Sequence, residues 1–340
     1  MIARPLRSLV AALLSVAHFT APSPARADVC ESPFTAVAAA RSTASAQRIA
    51  LLSRTQIHHS TDAGAHFTSL ALATENVRDF LVNEDGTALV TEGPVDSVRL
   101  RVVAPDGSVR LDRSEISVVY SACAHGVLAY IESARLRVSR DLGRTWQVAI
   151  VPTVARSVPT DTNAVSAPMD LRIEPDGSIR VLENFAEDET GTPTSAVRVL
   201  TCTRVRSEER CRQVVFPASD WLARDARQLA PNGALIARDS FDQLRILRGR
   251  TWSPLLPQPR FQGLGWLASD NALLFFASRA SVWRLDGETF STVTTAIPAG
   301  FVHTAADALG RLVVALPRRV LRRDAPHAWT TLVDCARGAS

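Results

Sequence analysis

The sequence predicts an all-β protein, a seven-bladed β-propeller whose blades are four-stranded antiparallel sheets. Three observations predict it. Turn signals recur at intervals near 40 residues, apolar runs of about five to eight residues stand between them, and no long segment after the N-terminal leader has a helical apolar period. Four strands in a repeat of roughly 40 residues are typical of a propeller blade. The alternative, two separate β-sandwiches, would change the period near the middle of the chain.

The first turn of each repeat carries the clearest periodicity. It can be followed through Asp85-Gly86, His125-Gly126, Asp176-Gly177, Asn232-Gly233, Asp270-Asn271 and Leu309-Gly310. The second members of these pairs are 40, 51, 56, 38 and 39 residues apart. One more repeat fits before the first pair, which makes seven. Within a single domain over 28–340, the predicted blades are about 34–72, 76–114, 116–153, 166–217, 226–257, 262–297 and 300–335.

The third turn of two repeats carries a motif. Residues 139–146 read S-x-D-x-G-x-T-W, and residues 60–67 read S-x-D-x-G-x-x-F. Serine and aspartate side chains bond nearby backbone N–H groups, and glycine adopts a positive φ without steric cost. The aromatic residue begins the next strand and packs into the core. We therefore predict structural roles for Ser60, Asp62, Gly64, Phe67, Ser139, Asp141, Gly143 and Trp146.

These two motifs resemble the Asp-box, the repeat of BNR-type, sialidase-like β-propellers. In the last three repeats the box is degenerate, the second repeat has an ordinary tight turn in its place, and the fourth has no box. The resemblance implies that the boxes lie on the face opposite an active site. It also implies a catalytic set of three arginines, a tyrosine activated by glutamate, and an aspartate. The chain has two tyrosines. Tyr130 and Glu132 could share one strand face, but they stand in the third repeat, whereas the family places its tyrosine late in the chain. The family's N-terminal Arg-Ile-Pro signature is absent, and we assign no catalytic residue.

The N-terminus has the three parts of a secretory signal peptide. A basic start, Met1 to Arg7, precedes a short apolar run, Leu9 to Ala17, and then an A-x-A site at Ala25-Arg26-Ala27. Residues 1–27 are therefore expected to be removed, and the mature protein to be secreted or periplasmic.

Five cysteines in an exported chain predict disulfide bonds with one thiol left over. Cys202 and Cys211 flank a hairpin-like turn, and Cys30 and Cys335 lie near the two ends of the mature chain. We predict these two pairs, the second as a clasp that closes the ring. Cys123 stands in an apolar context and is expected to be a buried free thiol.

Composition narrows the classes of partner. All 38 basic residues are arginines, the net charge is only +4, and the arginines alternate with apolar residues along strands. This pattern favours a solvated outer strand face over a nucleic-acid surface. No metal-ligand cluster or phosphate loop is recognisable, so no metal and no cofactor are expected.

A ligand face, if there is one, is expected opposite the boxes, where second turns and blade connections meet. Its candidate rim residues are Arg54, Glu132, Arg238, Asp239, Arg279 and Arg318. The sequence thus predicts an exported, non-catalytic and monomeric module that binds or scaffolds a protein or polar ligand such as a carbohydrate, without a membrane span. Two alternatives stay open: a divergent sialidase-like exo-glycoside hydrolase, and an assembly factor similar to the propellers that help to build photosystem II.

Overall fold

The structure is a computed structural model. It describes residues 29–41, 47–94, 97–132, 135–151, 167–185, 196–216, 222–230, 233–239, 243–248, 251–255, 266–268, 272–276, 281–286, 289–294, 296–325 and 328–335. The predicted signal peptide lies outside these residues. No helix among the described residues has the length and apolar character that a membrane crossing needs.

Seven four-stranded sheets form the blades, and each takes its strands consecutively from the chain. Blades 1 to 4 contain β1 (Phe34–Ala39), β2 (Ile49–Ser53), β3 (Gln56–Ser60), β4 (Thr68–Ala71), β5 (Val77–Val82), β6 (Ala88–Glu92), β7 (Val98–Val103), β8 (Val109–Ile116), β9 (Val118–Ala124), β10 (Val127–Glu132), β11 (Arg135–Ser139), β12 (Gln147–Val148), β13 (Ala167–Ile173), β14 (Ile179–Phe185), β15 (Ala196–Val205) and β16 (Glu208–Phe216).

Blades 5 to 7 follow the same plan. They contain β17 (Leu222–Leu229), β18 (Leu235–Asp239), β19 (Leu244–Arg248), β20 (Thr251–Pro254), β21 (Trp266–Ala268), β22 (Leu273–Phe276), β23 (Val282–Asp286), β24 (Thr289–Thr294), β25 (His303–Ala306), β26 (Leu312–Leu316), β27 (Arg319–Ala325) and β28 (Ala328–Asp334). All pairings within the blades are antiparallel. The predicted fold class, a seven-bladed propeller of four-stranded blades, is confirmed.

The core lies between neighbouring blades. Apolar side chains of blade 3 and blade 4 form one buried cluster, and those of blade 1 and blade 7 form another. The first strand of each blade lies nearest the axis, and neighbouring first strands such as β9 and β13 contact each other. A lone blade would expose both apolar faces, so face-to-face packing around a ring buries them.

The ring closes without exchange of a strand between the first and last blades. Cys30 and Cys335 form a disulfide across 305 residues, with their Cα atoms 5.3 Å apart. Beside it, the Phe34 N–H donates to the carbonyl of Pro317 at 2.9 Å. In the chain-entropy model, constraint of so long a loop in the unfolded chain is worth about 5–6 kcal/mol as an upper estimate.

Several arginines fasten one blade to the next, which differs from the solvated outer face that the sequence predicts for them. Arg140 donates to the Gly177 carbonyl at 3.0 Å, Arg180 to that of Gly233 at 2.7 Å and Arg284 to that of Leu309 at 2.8 Å. Each carbonyl belongs to the first turn of the following blade. The long guanidinium fork reaches carbonyls that a tight turn leaves without a strand partner.

Candidate functional site

The propeller has two faces with different turns. The first and third turns of every blade share one face, which we call the box face. The second turns and the blade-to-blade connections share the other, which we call the connection face.

The turn after Ser139 is held by its own side chains. The Ser139 hydroxyl donates to Asp141 Oδ1 at 2.8 Å and accepts the Gly143 N–H at 2.7 Å. Asp141 also accepts the N–H and the hydroxyl of Thr145, at 2.8 and 2.6 Å. The ring of Trp146 packs edge-on against Tyr130, with centroids 4.9 Å apart. The Ser139 hydroxyl and the Asp141 carboxylate thus form these hydrogen bonds within the turn.

The turn after Ser60 repeats this geometry. The Ser60 hydroxyl donates to Asp62 at 2.8 Å and accepts the Gly64 N–H at 2.8 Å, and Asp62 accepts the His66 N–H at 2.9 Å. Phe67 is buried in the cluster between blades 1 and 7. One feature was not predicted: Ala63 and Leu142, just before the two glycines, also have positive φ values of 58° and 60°.

The residues proposed for the rim of the connection face lie in different environments. Arg54 and Arg318 are exposed at second turns. Glu132 is buried and accepts hydrogen bonds from Arg113 at 3.0 Å and Arg137 at 2.5 Å, so its carboxylate serves the blade interior and not the rim. Arg238 and Asp239 end β18 with side chains outside the described part of the structure, and Arg279 lies outside it altogether.

Tyr130 and Glu132 do share one strand face, as their spacing predicts. Arg113 of blade 2 donates to the Tyr130 hydroxyl and to Glu132 Oε2, both at 3.0 Å. Tyr130 is only 1% exposed and sits on β10, between blades 2 and 3 and away from the first strands. Burial raises the pKa of its hydroxyl, against the lowering effect of Arg113. A substrate could not reach this pair without separating two blades.

A second group of polar side chains lies on the first strands themselves. It consists of Asp79 on β5, Tyr120 on β9, Asp170 on β13 and His303 on β25, and we call it the axial cluster. Each member lies at or before the midpoint of its strand, in the part that begins at the connection face. Its contacts cross from blade to blade: Asp170 accepts the Leu229 N–H at 2.9 Å, and His303 Nδ1 accepts the Val37 N–H at 3.4 Å.

The members of the axial cluster share one electrostatic environment. Burial raises the pKa of Tyr120, and the charges of Asp170 and Asp79 raise it further. Burial also raises the pKa of Asp170, against the hydrogen bond from Leu229. It lowers the pKa of His303, against the charge of Asp79. Two carboxylates, a phenol and an imidazole can together accept hydrogen bonds or positive charge from a ligand.

The axial cluster was not predicted from the sequence, although the sequence contains a signal for it. Asp79, Asp170 and His303 each lie seven residues before the glycine of their blade's first turn, at Gly86, Gly177 and Gly310. Among the described residues, no group of three or more histidine, cysteine, aspartate or glutamate side chains could hold a metal ion.

Comparisons with known proteins show similarity of fold and give no information on chemistry. No protein-family model matches the sequence, and no curated protein matches it significantly. Among solved structures, the chain is similar to YCF48 from Cyanidioschyzon merolae, with 14% identity over 89% of this chain and 97% of that one and a TM-score of 0.51. YCF48 bound to a D1 peptide gives 13% identity over 86% and 91%, with a TM-score of 0.48. Hsv2 from Kluyvelomyces marxianus gives 10% identity over 86% and 92%, also with a TM-score of 0.48. The class of protein is therefore a seven-bladed β-propeller, and its function has to be argued from its own residues.

Proposed function

We propose that the chain is an exported, non-catalytic propeller that binds a protein or polar ligand, such as a carbohydrate, over the axial cluster on its connection face. The observation that carries this proposal is the meeting of Asp79, Tyr120, Asp170 and His303, from four different blades, on the strands that surround the axis. Polar and titratable side chains that converge from distant parts of a chain, here including Tyr120, Asp170 and His303 with shifted pKa values, are typical of binding sites.

The charges of the cluster favour one kind of contact. Asp79 is exposed, and the half-buried Asp170 and Tyr120 stand near enough to interact with one another. A partner that presents hydrogen-bond donors or a cationic group would complement the exposed carboxylate of Asp79. A partner that presents only carboxylates would be repelled.

Two further parts of the proposal concern the compartment and the turns. The disulfides support an oxidising location, secreted or periplasmic, for a mature monomer that begins near Asp28. The shared hydrogen-bond pattern of the Ser60 and Ser139 turns supports their assignment as Asp-boxes with a structural role.

The experiment compares two isosteric changes on opposite faces. Immobilised mature protein would be used to capture partners from the periplasmic or culture fluid of its source, beside the variants Asp79→Asn and Asp106→Asn. Asp106 lies in an exposed turn between β7 and β8 on the box face. We expect Asp79→Asn to weaken retention about tenfold, or 1.4 kcal/mol, and Asp106→Asn to leave it unchanged. Absence of any partner at micromolar concentrations, or an equal loss in both variants, would contradict the proposal.

The alternative of a sialidase-like hydrolase rests on the Tyr130–Glu132 pair. Because Tyr130 is buried between blades, this pair favours a structural role. Turnover of an aryl sialoside by the mature protein, abolished by Tyr130→Phe in a variant that still folds, would establish the hydrolase instead.

A further inference from the structure

A separate cavity of about 160 Å³ opens between the third hairpins of blades 3 and 4. Its lining is polar with one apolar residue, and it consists of Val138, Arg140, Asp141, Thr145, Gln147, Arg204 and Glu209. It belongs to the box face and is distinct from the axial cluster. Its volume would hold about five water molecules, at roughly 30 Å³ each, which suits a ligand fragment of a few heavy atoms.

The walls of this cavity are fixed by contacts that do not need a ligand. Glu209 is buried and receives the guanidinium of Arg140, with one of the two bonds at 3.0 Å. The backbone of Ile150 pairs with the same hairpin, donating to the Glu209 carbonyl at 2.7 Å and accepting the Cys211 N–H at 3.0 Å. Cys202 and Cys211 are joined by a disulfide. A pocket that is already ordered loses little entropy when it binds.

Arg204 is the charged residue of the cavity whose side chain has no ion-pair partner among the described residues. Asp141 is occupied by the hydroxyls of Ser139 and Thr145, and Glu209 by Arg140. Arg204 lies opposite Glu209 across the hairpin, is exposed, and forms no ion pair with any residue that the structure describes. Its guanidinium can therefore take an anion from outside.

The neutral side chains of the cavity indicate which other groups the ligand should carry. Gln147 is exposed and offers both an amide donor and an amide acceptor, and the Thr145 oxygen can still accept a hydrogen bond. Arginine pairs with carboxylates through two parallel hydrogen bonds. We propose that this cavity binds a small carboxylate that also carries hydroxyl or amide groups, seated on Arg204 and oriented by Gln147 and Thr145.

The test uses three probes and two variants. Mature protein would be titrated with galacturonate, with N-acetyl-glutamate N-methylamide and with galactose, while amide chemical shifts around Arg204 and Gln147 are followed by NMR. The first two probes supply the carboxylate as a sugar acid and as a peptide side chain. We expect at least one of them to bind, and galactose to bind about tenfold more weakly or not at all.

Matched arginine variants decide whether the contact is specific. Arg204→Gln should weaken binding of the carboxylate about tenfold or more, because it removes the charged fork. Arg206→Gln, an exposed change in the turn of the same hairpin, should leave binding unchanged. Asp79→Asn should also leave it unchanged, which separates this site from the axial one.

Three outcomes would overturn the proposal. The first is that neither carboxylate changes the amide chemical shifts at about 10 mM, a concentration at which even a weak site with a binding free energy of about −4 kcal/mol would be occupied. The second is that galactose binds with the same affinity as the carboxylates. The third is that the two arginine variants lose the same amount of affinity. Unchanged thermal unfolding of both variants would show that any loss is not a loss of fold.

Discussion

The third hairpins of blades 3 and 4 are fastened by different chemistry. In blade 3, Ser139 and Asp141 hold the turn through hydrogen bonds to Gly143 and Thr145. In blade 4, the Cys202–Cys211 disulfide joins β15 to β16. Both hairpins pack an apolar side against the preceding blade: Trp146 against the cluster of blade 2, and the two cysteines against that of blade 3.

The comparison indicates that the hydrogen-bonded turn of blade 3 and the disulfide of blade 4 both hold a third hairpin closed, but under different conditions. The hydrogen-bonded turn depends on an ionised carboxylate and on a glycine. The disulfide depends on an oxidising compartment and not on pH. The two hairpins also meet directly through Arg140 and Glu209, so a change at one should be felt at the other.

The largest effect is expected from Gly143→Ala. Gly143 has φ +89°, and a Cβ there would lie 2.7 Å from Val102 Cγ1 in blade 2. Left-handed strain and overpacking together should lower the free energy of unfolding by about 2–4 kcal/mol. The control is Gly126→Ala, at φ +73° with no atom within 4 Å of the added Cβ, where strain alone should cost about 1–2 kcal/mol. Urea unfolding checks both, and equal losses would show that contact with blade 2 does not matter.

Next in size is the removal of the blade 4 fastener. The double variant Cys202→Ser, Cys211→Ser should lose about 2–3 kcal/mol, because the disulfide closes a short loop of the unfolded chain. Reductant should then have less effect on the variant than on the wild-type protein. A variant as stable as the wild type would mean that the strand pairing alone holds this hairpin.

The corresponding change in blade 3 is smaller. Asp141→Ala removes the acceptor of three hydrogen bonds and should cost about 1–2 kcal/mol. A smaller loss is expected for Asp106→Ala, whose carboxylate bonds only Ser108 in an exposed turn. If Asp106→Ala destabilises the protein more than Asp141→Ala does, the Ser139 turn contributes no more to stability than an ordinary exposed turn.

The smallest effect is the contribution of Asp62, in the hydrogen-bonded turn of blade 1, to the pH dependence of stability. Desolvation raises the pKa of Asp62, but hydrogen bonds from His66 and Ser60 outweigh it and lower the pKa from 3.8 to about 2. The stability that Asp62 contributes is therefore present above about pH 4 and lost as the pH falls towards 2. Urea midpoints of the wild type and of Asp62→Asn should converge over this range. The cysteine double variant should keep the pH dependence of the wild type, because the disulfide does not titrate. A flatter plot of stability against pH for this variant would contradict the view that only the hydrogen-bonded turns depend on an ionised carboxylate.

Local pattern and repetition were enough to predict the fold class. The regularly spaced pairs in the first turns, most of which contain a glycine, indicated the repeat. The Ser139 to Trp146 motif forms a turn within eight residues. The hydroxyl of Ser139 and the carboxylate of Asp141 find their partners within this turn, so its hydrogen bonds could be predicted without knowledge of the rest of the chain.

The axial cluster and the cavity could not be predicted in the same way. Asp79 and His303 belong to blades 2 and 7 and come together only when the ring closes, and Arg140, which pairs with Glu209 across the hairpin from Arg204, belongs to another blade. Glu132 was misplaced at the rim for the same reason: its partner Arg113 belongs to a neighbouring blade. Contacts between blades depend on ring geometry, which a single repeat does not contain.

The most direct test of the account is a count of free thiols in the exported mature protein. The protein would be denatured in alkylating agent without reductant, weighed intact and mapped by peptide. We predict a single modified cysteine, the buried Cys123, together with linked peptides for Cys30–Cys335 and Cys202–Cys211. Three modified cysteines would contradict one of the two disulfides, which the peptide map would identify, and five would contradict both.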